Sequence, residues 1–224
     1  MTRILAVADE ADEHLLDSDL RGLEAKLVAA CGDLPFDYLE AIVTLVNVPL
    51  LYVPGNHDPE LRRRPQDIMP DDILRPLSFR RPENDSGPEG CINVDGRVAE
   101  EAGLRVAGLG GSLRYSEGPN QYTQSEMSRR ALALETRARC GSLFRRRSSG
   151  GRLDLLLTHA PPLGVGDDDD PPHEGFTAFH GLVARLAPRV LLHGHIHPYG
   201  RHVEEHRIDG TRVINAVGHR LIEV

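Results

Sequence analysis

Leu50-Leu51-Tyr52-Val53-Pro54-Gly55-Asn56-His57-Asp58 is an apolar run that stops at a Pro-Gly turn and then presents an amide, an imidazole and a carboxylate. It reads as a strand with metal-ligand side chains at its C-terminal end. The same arrangement recurs along the chain. Asp9 follows Ile4-Leu5-Ala6-Val7-Ala8, and Asp33 follows Leu27-Val28-Ala29-Ala30-Cys31-Gly32. His159 follows Leu153-Asp154-Leu155-Leu156-Leu157-Thr158, while His195 and His197 follow Val190-Leu191-Leu192-His193-Gly194. In a parallel sheet such ends lie along one edge, where α/β proteins place their sites. Carboxylate, amide and imidazole donors together suit Mn, Fe, Zn or Ni. The pattern predicts a metal-dependent hydrolase.

The spacing around these strands predicts the rest of the architecture. Phe36–Val46 carries Leu39, Ile42, Val43 and Val46 at helical spacing. Leu15–Ala30 mixes helical and strand character, with the second strand beginning near Lys26. Residues 59–90 hold many prolines and Arg62-Arg63-Arg64 and read as long loops with one short helix at most. Short strands are expected at Cys91–Val94 and Arg105–Leu109. A long polar helix is expected from Gln124 to Arg147, ended by Gly150-Gly151. Another helix is expected at Phe176–Leu186, and three final strands at Arg201–Ile208, Thr211–Ala216 and Arg220–Val224. Asp209-Gly210 is a hairpin turn between the first two of these. Parallel units with an antiparallel finish predict mixed or stacked sheets with helices outside, in a single domain over residues 1–224.

Composition narrows the function class. The 224 residues suffice for one substantial core, and the charged fraction is ordinary for a globular protein. A net charge of −8 and the lack of a basic, aromatic-rich stripe argue against a nuclease. Cys31, Cys91 and Cys140 are odd in number and scattered, which points to a reducing cytoplasm rather than a disulfide framework. No signal-peptide pattern precedes the first strand, and the apolar stretch Leu39–Val53 is interrupted by Glu40, Asn47 and Pro49. A cytoplasmic protein with no membrane partner is expected. The sequence carries no signal for oligomeric state.

Gly32-Asp33, Gly55-Asn56-His57-Asp58, Thr158-His159 and Gly194-His195-Ile196-His197, in this order after an early Asp9, resemble the calcineurin-like metallophosphoesterase superfamily. The resemblance covers nearly the whole chain. It implies an α/β fold, a four-layer αββα sandwich of two stacked mixed β-sheets flanked by helices, with two divalent metal ions at the strand ends. By that likeness Asp33 bridges both metals, Asn56, His159 and His195 complete the second site, and Asp9 and His197 bind the first. His57 occupies the place of a histidine beside the scissile phosphate, outside the coordination shell, as the catalytic group. The implied reaction is hydrolysis of a small phosphomonoester or phosphodiester by a metal-bridging hydroxide, the two metals sitting roughly 3.5–4 Å apart.

One departure weakens the likeness. The family pattern near the N-terminus is Asp, any residue, His, and here it is Asp9-Glu10-Ala11. Alanine has no donor, so the first site lacks one ligand unless His14, Asp12, Glu13 or water supplies it. That favours an alternative function: a weakly catalytic or non-catalytic metal protein that binds a phosphorylated ligand or partner. Ser112-Leu113-Arg114-Tyr115 and Asn120-Gln121-Tyr122 read as a segment facing the substrate, with Arg114 either pairing with phosphate or held in a surface ion pair. Asp167–Asp170 reads as an acidic loop, and His173 as a substrate contact or a helix-start residue.

Overall fold

The computed structural model describes residues 1–61, 87–144, 152–200 and 204–224, with the backbone alone over 141–144. In chain order the elements are β1 (Arg3–Ala8), α1 (Glu13–Asp17), β2 (Leu27–Ala30), α2 (Phe36–Val46), β3 (Leu50–Tyr52), β4 (Cys91–Asn93), β5 (Val98–Glu101) and β6 (Leu104–Leu109). They continue as β7 (Ser112–Leu113), β8 (Gln121–Tyr122), α3 (Gln124–Phe144), β9 (Leu155–Thr158), α4 (Thr177–Leu186), β10 (Val190–His193), β11 (His206–Ile208), β12 (Thr211–Asn215) and β13 (Gly218–Glu223).

The strands form two mixed sheets. The first has the order β13-β1-β2-β3-β4, with β1 to β4 parallel and β13 antiparallel to β1. The second has the order β11-β12-β10-β9-β6-β5, parallel at its centre and antiparallel at both edges. Central strands in such a sheet are covered on both faces, which is why β2, β9 and β10 are continuous apolar runs with every residue buried.

Alternation sorts their side chains between layers. Ile4, Ala6, Leu27, Ala29 and Leu51 of the first sheet pack against Val106, Leu155, Leu157, Val190, Leu192 and Ile214 of the second. The intervening residues Leu5, Val7, Val28, Ala30 and Leu50 turn outward onto Leu15 of α1 and Tyr38, Leu39 and Ile42 of α2. On the other side Ala107, Leu156, Leu191 and Val213 meet Met127 and Leu134 of α3 and Phe179, Leu182 and Val183 of α4. The result is helices, sheet, sheet, helices, the expected four-layer sandwich.

Helix α2 has the predicted bounds and ends at Asn47 in a left-handed conformation, φ 56°. The Asp209-Gly210 hairpin forms with positive φ at both residues, joining Ile208 to Thr211 in register. β5, β7 and β8 have no counterpart among the expected strands. β5 is an edge strand with two glutamates and no apolar run, and β7 and β8 are two-residue strands paired only with each other. Of the last three strands, β11 and β12 are shorter than expected, β11 starting only at His206, while β13 begins two residues earlier than expected, at Gly218. Arg62-Arg63-Arg64, Arg145-Arg146-Arg147, Gly150-Gly151 and the start of the strand expected from Arg201 lie outside the described residues. Among the described residues no helix is long and apolar enough to cross a membrane.

Leu192 is fully buried between the two sheets. Leu192→Ala is expected to lower unfolding free energy by about 2–5 kcal/mol through lost burial and the cavity left behind, read by urea denaturation.

Candidate metal centre

The two sheets bring their C-terminal strand ends to one edge of the sandwich. Asp9 follows β1, Asp33 follows β2, Asn56 and His57 follow β3, His159 follows β9, and His195 and His197 follow β10. Each sheet thus contributes part of one cluster. Three of these residues turn their backbone sharply just past the strand: Asp9, Asp33 and His195 have φ of 59°, 56° and 69°. For residues with a Cβ this conformation costs on the order of 1–3 kcal/mol each and persists only where the surroundings enforce it.

Three glycines permit the crowding. A Cβ on Gly32 would sit 2.4 Å from the backbone nitrogen of Gly55, and one on Gly55 would sit 2.0 Å from Asp33 Oδ1. The loops after β2 and β3 therefore interlock through their backbones. Asp58 fastens them, its Oδ2 accepting from Gly55 N–H at 2.8 Å and Asp33 N–H at 3.0 Å. Gly194 does the same for the loop after β10, since a Cβ there would sit 2.2 Å from Asp9 Oδ2. The Asp9 carboxylate accepts from His195 N–H at 2.9 and 3.1 Å.

His159 lies at the centre and is fully buried. Its Nδ1 donates to the carbonyl of Cys31 at 2.7 Å. Its Nε2 faces Asn56 Oδ1 at 2.9 Å and Asp33 Oδ2 at 3.3 Å, both acceptors. The polar side-chain atoms facing this Nε2 are acceptors, so the space before it suits a proton or a metal cation. His195 Nε2 donates to the carbonyl of Pro172 at 2.7 Å, which leaves its Nδ1 with the lone pair. Donation of one ring nitrogen to a carbonyl is how metal-binding histidines are oriented. Asp33, His159 and His195 each offer one ligand atom, and these atoms lie within 4.8 Å of one another. The donor set fits a divalent cation.

The electrostatics carry the same message. Burial opposes a charge on His159, but the hydrogen bond and charge of Asp33, with Asp9 and the Cys31 carbonyl, outweigh it and push the imidazole up to about 9. Burial would raise Asp33; its hydrogen bond to His159, the charge of His159 and the His57 N–H hold it below the usual carboxylate range. Asp9 is pushed up to about 6, chiefly by burial. His195 is pushed down to about 3 by burial and then by the charge of His159. Where no cation is bound, one positive charge is concentrated on His159 among buried oxygens.

His57 is exposed and takes no part in this packing except through its backbone, whose N–H donates to Asp33 Oδ1 at 2.8 Å. Asn56 keeps Oδ1 toward His159 because its Nδ2 donates to the Tyr115 hydroxyl at 3.1 Å. His197 is half-buried, with Nε2 3.9 Å from Asp9 Oδ1 and Nδ1 2.9 Å from Glu10 Oε1. Ala11 is exposed. Asp12 is engaged elsewhere, accepting from His14 N–H to cap α1 and pairing with His219 at 3.1 Å. Arg114 pairs with Glu126 at 3.0 Å and donates to the carbonyl of Gln121, so its guanidinium is held by its own chain. The His173 ring lies 5.3 Å from the His195 ring, tilted by 45° to it, and pairs with Asp170 at 2.8 Å. The acidic run is ordered by such contacts, with Asp167 accepting from Gly164 and Gly175 N–H.

Sequence reasoning missed the supporting role of four residues, having placed Tyr115 and Asn120 in a segment facing the substrate. Asp58 stands beside Asn56 and His57 in the motif, but nothing there marks it as a fastener between two loops. Asn120 reaches back to donate to the carbonyls of Gly55 and Asp58 at 3.0 and 3.1 Å. Tyr115 and Glu10 act on Asn56 and His197 across the fold. No local pattern marks these contacts; only a polar residue next to a glycine-rich strand end could have hinted at them.

Comparison with known proteins agrees with this geometry. The sequence profile described as calcineurin-like phosphoesterase matches residues 15–199, beginning after Asp9-Glu10-Ala11. No curated protein matches the chain in sequence. One solved crystal structure is 16% identical at a TM-score of 0.59, over 99% of this chain and 98% of that one. A second, TT1561 of Thermus thermophilus, is 19% identical at a TM-score of 0.56, over 97% of this chain and 89% of that one. At these identities the likeness establishes the fold alone.

Asp33→Asn is expected to lower metal content, measured by mass spectrometry of the purified protein. Gly55→Ala should do the same without altering any donor atom, because its methyl group displaces the Asp33 carboxylate. Unchanged metal stoichiometry in both would remove Asp33 from the centre.

Proposed function

The chain belongs to the calcineurin-like phosphoesterase family, and we propose that it hydrolyses a small phosphomonoester or phosphodiester at a site for two divalent metal ions. The observation that carries the reading is the Asp33–His159–His195 cluster with Asn56 turned into it, beside an exposed His57. Asp33, Asn56, His159 and His195 would hold one ion, and Asp9, His197 and the shared Asp33 the other. Bound there, divalent cations supply Lewis acidity toward a phosphoryl group and lower the pKa of water to about 7.

The protein groups then divide the work. Asn56 contributes a neutral oxygen and adds no negative charge against an anionic substrate. The His57 backbone N–H fixes the orientation of the Asp33 carboxylate, while its ring stands free at the mouth of the cluster to protonate a leaving oxygen. Burial of Asp9, Asp33 and His159 excludes water from the ligand side and strengthens each electrostatic contact.

Glu10 bears on the missing ligand. Its carboxylate accepts a hydrogen bond from His197 Nδ1–H, which leaves Nε2 directed toward Asp9. A carboxylate behind a ligating histidine fixes the ring and raises its basicity, and removal of such partners costs roughly 10–100-fold in metal affinity. Glu10 thus supports the weaker site without taking the place of Ala11. The alternative, a weakly catalytic protein that binds a phosphorylated ligand or partner, rests on Ala11 alone.

Chromogenic monoesters and diesters with added Mn, beside a chelator control, separate the two readings: metal-dependent turnover supports the enzyme, and binding without turnover supports the alternative. His57→Ala should lower turnover by roughly 10²–10⁴-fold with metal content retained. Loss of a metal in that variant would place His57 inside the coordination shell.

For the first site, Mn titration should show weaker binding in Glu10→Gln and tighter binding in Ala11→His. Two equal, tight sites in the parent, unmoved by Glu10→Gln, would refute the weakened site.

A further inference from the structure

The segment that carries β7 and β8 is fastened to the loop after β3 at two places. Gly111 N–H donates to the Pro54 carbonyl at 2.9 Å, and Asn120 Nδ2 donates to the carbonyls of Gly55 and Asp58 at 3.0 and 3.1 Å. Within the segment the buried Gln121 closes the turn. Its Oε1 accepts from Tyr115 N–H at 3.2 Å and Ser116 N–H at 2.9 Å, while its Nε2 donates to Ser116 Oγ at 2.9 Å. The backbone of Tyr115 is thus held in a fixed relation to Gly55-Asn56-His57-Asp58.

Its side chain is held as well. The Tyr115 hydroxyl accepts from Asn56 Nδ2 at 3.1 Å, and Oδ1 of the same amide lies 2.9 Å from His159 Nε2. One amide group separates the hydroxyl from the cluster. Yet this side chain, fixed at backbone and tip, is 41% exposed, and its ring joins none of the three apolar cores. Packing therefore does not explain it. Orientation of Asn56 uses only a lone pair of the hydroxyl, which carries a donor besides. An oxygen that accepts from an N–H turns its own proton elsewhere, and Asn56 is its hydrogen-bond partner among the described residues. The proton is left for an acceptor arriving from solvent.

The other long polar side chains of the segment are spent on the protein. Arg114 is held by Glu126 and the Gln121 carbonyl, Asn120 by two carbonyls, and Gln121 by the turn it closes. Tyr115 keeps a donor, and keeps it beside a metal-ligand amide. Resting on the phosphoesterase reading, we propose that the Tyr115 hydroxyl donates a hydrogen bond to a non-bridging oxygen of the substrate's phosphoryl group while its lone pair holds the Asn56 amide. Donation to an anion makes the same oxygen a better acceptor, so the two contacts strengthen each other. One side chain then joins the orientation of Asn56 to recognition of the phosphoryl group.

Calorimetry of the full chain at saturating Mn tests this with methylphosphonate, a non-hydrolysable probe. Tyr115→Phe removes one oxygen from an exposed side chain and is expected to fold. It should weaken methylphosphonate about tenfold or more, as loss of a hydrogen bond to a charged group implies. Mn affinity, titrated without the probe, reports the Asn56 contact separately. Lower Mn affinity with methylphosphonate binding unchanged would confine Tyr115 to Asn56 and overturn the proposal. No change in either, or no binding of the probe by the parent, would overturn it too. A second readout uses the Zn-loaded parent labelled with 3-fluorotyrosine. Of the resonances from its five tyrosines, the one missing in Tyr115→Phe should shift when methylphosphonate is added; a resonance that stays in place overturns the contact. Hydrolysis of bis(p-nitrophenyl) phosphate by the same Mn samples reads the phosphoesterase on its own. Turnover with equal probe affinity in parent and variant sinks the contact alone. Weakened probe binding in a chain without turnover sinks the phosphoesterase reading and leaves the contact standing.

Discussion

The backbone contact between Gly32 and Gly55 governs the site. It lets the loops after β2 and β3 approach until a single methyl group would not fit between them. That approach places the Asp33 carboxylate against His159, which arrives from the other sheet, and gives Asp58 two backbone donors to hold at once. Side chains that are far apart in sequence become a cluster only because these two strand ends carry no Cβ. The strain at Asp9, Asp33 and His195 follows from the same crowding, and the sandwich of two sheets absorbs it with a core that is buried on three levels.

Desolvation then sets the chemistry. Asp9 and Asp33 are nearly covered and His159 is fully so, which makes any unpaired charge among them expensive. The arrangement answers with acceptors on every side of one imidazole, so that a cation is favoured where His159 Nε2 points. His57, by contrast, remains exposed beside the same carboxylate. The loop Gly55-Asn56-His57-Asp58 thus has a buried side at Asn56 and an open side at His57, the arrangement that the proposed hydrolysis requires.

The two halves of the site are unequal in construction. Around His159 the donors are mutually oriented by Tyr115, Pro172 and the Cys31 carbonyl. Around His197 there is one carboxylate from Asp9, one from Glu10 behind the ring, and an exposed alanine where the family has a histidine. Donors with fewer fixed partners bind a cation less tightly, so occupancy of that side is the variable on which the proposed activity depends.

The sequence by itself determined the sandwich and the order in which it delivers its donors. Short apolar runs bounded by turn signals, such as Leu155-Leu156-Leu157, read as strands covered on both faces, helix α2 follows from its periodicity, and Asp209-Gly210 is a hairpin turn signal. It also determined the ligand types, since turn residues at the strand ends expose whatever follows them. Only the tertiary structure decided how those donors are held and what lies around them. Arg114 is drawn to Glu126, Glu10 meets a histidine far along the chain, and Asn120 bonds back to Gly55 and Asp58. Such contacts depend on loop paths between distant elements, and no local periodicity or turn chemistry encodes where two loops will meet.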